Sequence, residues 1–127
     1  MKHLVLGSSG QIGSHLTAFL LAQKEEVIKY DIVVHPSEDL RIHDSHHLFT
    51  RMKEADFVHF LAFDVGGSAY MKKYQDTHEF IDNNLALMRN TFSALKATGK
   101  PFIFASSQMS NMTHSTYGLC KAVGEAA

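Results

Sequence analysis

One cysteine, Cys120, is all the thiol this chain carries. No internal disulfide can form, so a stapled secreted scaffold is excluded and a reducing cytoplasm is the expected compartment. No apolar run approaches the ~20 residues that span a membrane. The stretch Met1 to Gly7 is too short, and too soon interrupted by glycine, to read as a signal peptide. Charge of one sign is also lacking. Twelve Lys and Arg stand against 13 Asp and Glu, for a net charge of -1. Without a basic block, nucleic acid and anionic membrane are not expected as partners. Internal repeats and low-complexity linkers are absent too. What remains is one domain of 127 residues, 45% of them apolar, which is enough to bury a core.

Histidine is abundant instead. There are nine: His3, His15, His35, His43, His46, His47, His59, His78 and His114. No pair shows a zinc-ligand spacing with a cysteine or carboxylate partner, so no metal is expected. They read as ordinary surface or core residues.

Short apolar runs and stretches of helical period alternate along the chain. Residues 3–6 form a short apolar run ending at Gly7, as a buried parallel strand does. Residues 11–24 predict a helix with Ile12, Leu16, Phe19 and Leu20 on one face. Val27 to Tyr30 reads as a second strand, closed by Asp31. A breaker-rich stretch follows, with His35, Pro36 and Ser37. Asp39 to His43 is the place for a short edge element, and Ser45 to Glu54 predicts a helix. Phe57 to Phe63 is the strongest strand. Gly66 and Gly67 mark the loop after it. Residues 77–98 predict a long helix with Ile81, Leu85, Met88, Phe92 and Leu95 on one stripe. Gly99 ends it, and Lys100 and Pro101 lead into a strand from Phe102 to Ala105. A polar loop over 106–114 and a final helix from Ser115 or Thr116 complete the reading. Strands alternating with helices give an α/β domain, a Rossmann-like doubly wound parallel sheet.

Two motifs carry chemistry. The first turn reads Gly7-Ser8-Ser9-Gly10-Gln11-Ile12-Gly13. Between a strand and an amphipathic helix, such glycines permit the tight turn, the approach of a pyrophosphate and close helix packing. The helix N-terminus then offers free N–H groups to phosphate. Asp31 ends the second strand, 18 residues after Gly13. A carboxylate there accepts bonds from ribose hydroxyls and repels a 2′-phosphate, so the cofactor expected is NAD. The second motif is Tyr117-Gly118-Leu119-Cys120-Lys121. Tyr and Lys four apart share a helical face, and the ammonium stabilises phenolate. Upstream, Ala105, Ser106 and Ser107 close a strand at the edge where such sheets bind ligands.

Taken together these residues resemble the extended short-chain dehydrogenase/reductase family, the nucleotide-sugar epimerases and dehydratases. The resemblance covers essentially the whole chain. It implies cofactor contacts from Gly7, Gly10, Gln11, Ile12 and Gly13, from Asp31, and from Asp39 and Leu40 at the adenine. It further implies that Leu61, Ala62 and Phe63 line the cofactor, as do Asn84, Ala105 and Ser106. The catalytic Ser-Tyr-Lys set maps to Ser107, Tyr117 and Lys121, with Tyr117 and Lys121 also touching the cofactor. The stretch "DLR…ADFVHFLAFDVGG" is similar to the GDP-mannose 3,5-epimerase and GDP-fucose synthase branch. That implies Gly66, Gly67 and Ser68 as substrate contacts and a GDP-sugar as favoured substrate. Where both enzymes carry a cysteine after the serine motif, this chain has Met109.

The implied reaction is hydride transfer at a sugar carbon. Tyr117 takes the hydroxyl proton, Lys121 lowers the Tyr117 pKa and binds ribose, and Ser107 bonds the reacting oxygen. Two departures from the family accompany this. Residues 31–39 leave room only for a minimal third strand, and the sequence stops six residues after Lys121. The expectation is therefore the N-terminal, NAD-binding part of such an enzyme, without its C-terminal substrate lobe. A non-catalytic NAD-binding or interaction module, or an inactive fragment, is the alternative. The family dimerises through its long middle helix and tyrosine helix, which implies a weak or altered homodimer here.

Overall fold

The computed structural model describes residues 1–36, 38–41, 46–63, 77–105 and 124. Seven elements follow one another: β1 (Lys2–Leu6), α1 (Gln11–Ala22), β2 (Glu26–Tyr30), α2 (His46–Glu54), β3 (Phe57–Phe60), α3 (His78–Thr98) and β4 (Phe102–Phe104). The four strands form one parallel sheet in the order β2-β1-β3-β4. The chain therefore winds outward from β1 to β2, then crosses back to β3 and on to β4. The winding reverses between β1 and β3, and there the carboxyl ends of parallel strands open a crevice.

Alternation along the strands sorts the two faces of the sheet. Leu4, Leu6, Val58 and Phe60 enter one core with Tyr30, Leu40, Leu48, Met52, Leu87, Met88 and Leu95. That face is covered by α2 and α3. His3, Val5 and His59 alternate with those residues and belong to the opposite face. α1 packs against β1 and β2, and Val5 is fully buried. Helices on both faces make the sheet doubly wound, as expected.

Helix rotations depart from the apolar stripes. In α1 the buried residues are Gly13, Thr17 and Leu20, while Ile12 is 68% and Phe19 60% exposed. The cause is steric. A Cβ on Gly13 would lie 2.0 Å from the Gly7 carbonyl oxygen, so Gly13 must face the turn, and that contact sets the rotation of the helix. In α3 the buried row is Phe80, Asn84, Leu87, Met88, Thr91 and Leu95. Leu85 faces outward and Phe92 is half-buried. Two polar members, Asn84 and Thr91, hide that row from a hydrophobicity pattern. The ends of α3 follow from local chemistry. The Thr77 side chain accepts the Phe80 N–H at 3.2 Å, and Gly99, in the left-handed region, donates to the Leu95 carbonyl at 2.8 Å.

β3 ends at Phe60, three residues short of the expected run. Leu61 N–H still bonds the Leu6 carbonyl at 3.0 Å, and the chain then leaves the sheet. No strand lies beyond β2 among the described residues. Residues 31–36 and 38–41 run there as turns, with Leu40 buried against the core. The polar loop and final helix expected after Ala105 lie outside the described residues, apart from Gly124.

Candidate cofactor site

The site begins at the end of β1. Gly7 N–H bonds the Tyr30 carbonyl at 2.8 Å, so the turn is sewn to the end of β2. Gly7 adopts φ 89°, and a Cβ there would meet the Ala62 backbone nitrogen at 2.9 Å. Both facts require glycine. Gly10 then caps α1 with no side-chain hydrogen bond, and the first turn holds no acidic residue. The first N–H groups of the helix, and the positive end of its dipole, are left for an anion.

Next to this turn is a cavity of about 290 Å³. Its wall includes Gly7, Gly10, Asp31, Asp39, Leu40 and Arg41, closed on the β3 side by Leu61, Ala62 and Phe63. It sits at the carboxyl edge of the sheet, over the reversal between β1 and β3.

Asp31 is held by backbone. Its Oδ2 accepts the Ser9 N–H at 3.1 Å and its Oδ1 the Val33 N–H at 3.0 Å. Its own N–H donates to Glu38 Oε1 at 3.2 Å. Glu38 is only 8% exposed. Its other oxygen meets His47 Nε2 at 3.2 Å, and the His47 ring stacks on Tyr30 at 5.5 Å between centroids. The loop that carries Asp31 is thereby tied to β2 and α2.

Asp39 and Arg41 form a two-toothed pair. Arg41 Nε donates to Oδ1 and Nη2 to Oδ2, both at 2.8 Å, and the Arg41 backbone N–H reaches Oδ1 at 3.0 Å. The Arg41 side chain, through these bonds, holds the Asp39 carboxyl below the usual carboxylate range. Between them Leu40 is buried, and its carbonyl accepts Asn90 Nδ2 from α3 at 2.9 Å.

The profile of the NAD dependent epimerase/dehydratase family matches residues 3–126. The chain belongs to that family. No curated protein sequence matches it. Solved structures share its fold at low identity. A short-chain dehydrogenase/reductase superfamily protein from Agrobacterium tumefaciens with bound NAD superposes with a TM-score of 0.76 at 24% identity, over 99% of this chain and 43% of that one. UDP-glucose-4-epimerase from Stenotrophomonas maltophila, with bound NAD and formylated UDP-arabinopyranose, gives 0.78 at 22%, over 99% and 47%. A GDP-D-glycero-L-gluco-heptose synthase from Campylobacter jejuni, in the presence of NADPH, gives 0.74 at 19%, over 97% and 41%. The chain thus spans less than half the length of these relatives.

For a member of an NAD dependent family, the residues present fit a dinucleotide on their own geometry. The crevice at Gly7 and Gly10 leaves backbone room for phosphate, and the α1 N-terminus has no competing cap. Asp31 offers anchored acceptors to a diol. Among the residues expected from sequence, Gly7, Gly10, Asp31, Asp39, Leu40, Leu61, Ala62 and Phe63 come together around the one cavity. Gln11, Ile12 and Gly13 form the first turn of α1 beside it. Ala105 extends the ladder, its N–H bonding the Phe60 carbonyl at 3.0 Å. Asn84 is not brought to the cavity. It is fully buried in α3, with Nδ2 donating to its own helix at the Phe80 carbonyl, 2.9 Å away. Gly66, Gly67, Ser68, Ser106, Ser107, Tyr117 and Lys121 lie outside the described residues.

Sequence reasoning missed Tyr30, Ile32, Glu38, Arg41 and Leu87, which also line the wall. Arg41 stands two residues after Asp39, and that spacing was its only signal. Glu38 had none, because a carboxylate in a turn reads as solvated until the fold buries it. Among the described residues, no helix is long and apolar enough to cross a membrane.

Proposed function

We propose that this chain is the NAD-binding part of a nucleotide-sugar epimerase, dehydratase or reductase. The observation that carries the reading is the meeting of the glycine turn, an uncapped helix N-terminus and a backbone-anchored Asp31 on one cavity at the sheet's reversal point. The N–H groups of α1 hold the pyrophosphate and Asp31 takes the adenosine ribose hydroxyls. Asp39 and Leu40 take the adenine, while Leu61, Ala62 and Phe63 wall the cofactor from the β3 side. NAD, when bound, would supply reversible hydride exchange with the sugar carbon.

The remaining chemistry is proton movement at a sugar carbon. Tyr117 takes and returns the hydroxyl proton. Lys121, four residues on, keeps the phenol acidic by its charge. Ser107, two residues past the end of the β4 ladder, donates to the reacting oxygen. Gly66, Gly67 and Ser68 approach the sugar. The likeness of the DLR and DVGG stretches to GDP-sugar enzymes favours a GDP-sugar as substrate.

Titration calorimetry tests the cofactor reading. Wild-type chain binds NAD more tightly than NADP, and Asp31→Asn narrows that gap by weakening NAD about tenfold, the worth of a charge-assisted hydrogen bond. Equal affinity for both dinucleotides in the wild type overturns the assignment. The second reading is NAD binding without turnover. Incubation with GDP- and UDP-sugars plus NAD separates the two, because only the enzyme yields a new sugar.

A further inference from the structure

We propose that the outer edge of β2 is a self-association surface, where a second copy of this chain adds its own β2, antiparallel, about a two-fold axis at Val27. Among the described residues β2 is the last strand on its side of the sheet. Residues 31–36 and 38–41 run as turns where a minimal third strand was expected. The backbone fixes which groups face outward. Gly7 N–H bonds the Tyr30 carbonyl at 2.8 Å. Tyr30, and by the period of two Ile28 and Glu26, therefore aim their N–H and C=O groups at β1. Val27 and Lys29 aim theirs the other way. Asp31, next in that outward row, donates to Glu38 Oε1 at 3.2 Å, so Glu38 closes the carboxyl end of the edge. From Val27 to Lys29 the row is open, and Lys29 is exposed. Such a row is a template for another strand.

Charge identifies the occupant as a second copy. Glu25, Val27 and Lys29 alternate onto one face, the face of His3 and Val5, with which Val27 and Lys29 are in register. A two-fold axis at Val27, perpendicular to the sheet, keeps that face on the same side in both copies. It sets Val27 against the partner's Val27, and Glu25 against the partner's Lys29 on both sides of the axis. Val27 N–H then bonds the partner's Val27 carbonyl, and Lys29 N–H the partner's Glu25 carbonyl, each bond made twice. Glu25 N–H is already spent on the Leu20 carbonyl at 3.0 Å and is not required. Glu25 Oε2 accepts the Met1 ammonium at 3.0 Å, which leaves Oε1 for the lysine.

Neighbouring registers fail on charge. An axis at Ile28 sets Glu25 against the partner's Asp31, and an axis at Lys29 sets that lysine against its own copy. Only the axis at Val27 opposes unlike charges throughout. Antiparallel pairing also lays the Ile32–Val34 end of one copy beside the Leu21–Gln23 end of the other. Ile32, Val33, Val34 and Leu21 are all exposed, Val33 to 79%, and their apolar surface gains cover there. This pairing differs from the helix-to-helix dimer that the family resemblance implies, and it does not depend on the cofactor reading.

Light scattering over a dilution series of the full chain tests this, with thermal melts to show that each variant folds. Wild type rises from one chain to two as concentration increases. Lys29→Pro runs as a monomer throughout, and it keeps the fold because the N–H it removes points away from β1. Lys29→Glu raises the dimer Kd about tenfold or more, since like charges replace unlike ones on both sides of the axis. The charge swap E25K/K29E brings Kd back to within about threefold of wild type, because the same pairs form with their signs exchanged. Should K29P fail to fold, K29E against the swap decides. Leu85→Asp, on the outward face of α3, leaves the dimer intact. A wild type that is monomeric at every concentration overturns the proposal. So does a dimer that survives K29P, or a swap no better than K29E. A dimer lost in L85D and kept in K29E assigns the contact to α3 and overturns it too.

Discussion

His3 and His59 are joined ring to ring across two neighbouring strands of the sheet, Nδ1 to Nε2, at 3.0 Å. The rings stack at 5.2 Å between centroids. Burial, and secondarily the charge on His3, hold the His59 imidazole below its ordinary 6.5. The folded state therefore resists a proton that the unfolded chain accepts. Stability is full above the ordinary histidine range and falls as pH drops from about 6.5 toward the depressed folded value. Urea midpoints measured between pH 7.5 and 5 should decline for wild type. His59→Leu should flatten that decline, and an unchanged slope would contradict the linkage.

Gly10 and Gly13 share a motif but not a role. A Cβ at Gly13 meets the Gly7 carbonyl oxygen at 2.0 Å, whereas one at Gly10 comes only to 3.4 Å of the same atom. Gly13→Ala should cost about 1–3 kcal/mol or more, as overpacking against backbone does. Gly10→Ala should melt near wild type yet lose most NAD affinity, because its methyl enters the cavity wall. Thermal melts paired with NAD titration check the split.

Glu38 holds Asp31 from behind. Glu38→Ala removes the acceptor of the Asp31 N–H and of His47. Leaving those donors unmatched should cost about 1–3 kcal/mol. NAD affinity should fall as well, although Glu38 need not touch the cofactor. Glu38→Gln should restore most of the stability, since its amide oxygen still accepts. Denaturant midpoints and NAD affinities of the two variants test this.

Met52 is the core peg of α2 and is fully buried. Met52→Ala should lower stability by about 2–5 kcal/mol. Met52→Leu, close in volume, should cost less than about 1.5 kcal/mol. A Met52→Ala chain as stable as the leucine variant would show that α2 does not seal this core.

Much of the cofactor site was legible because its signals are local. Gly7 must turn with a positive φ, Gly10 and Gly13 recur at the interval that opens a helix, and Asp31 closes an apolar strand. The strand that opens at Phe57 and the helix His78–Thr98 were legible from composition, from an apolar stripe and from Gly99 at the helix end. Leu61, Ala62 and Phe63, expected to line the cofactor, do line the cavity, although they were read as strand. Asn84 was placed there too, yet the helix row it belongs to turns it into the core. Ile12 and Phe19 read as core and point outward.

The order β-α-β, the parallel α/β class, the glycine turn and the acidic end of β2 follow from the residues in chain order. Each depends on φ/ψ preferences and periodicities that act over a few neighbouring residues. The tertiary structure alone decided how far α1 is rotated, which carboxylate is buried behind Asp31, that His3 and His59 meet, and that Arg41 and Asp39 pair while Asn90 pins the residue between them. Those outcomes depend on which distant segments come into contact, and burial changes the worth of a charge or a hydrogen bond only once that contact exists.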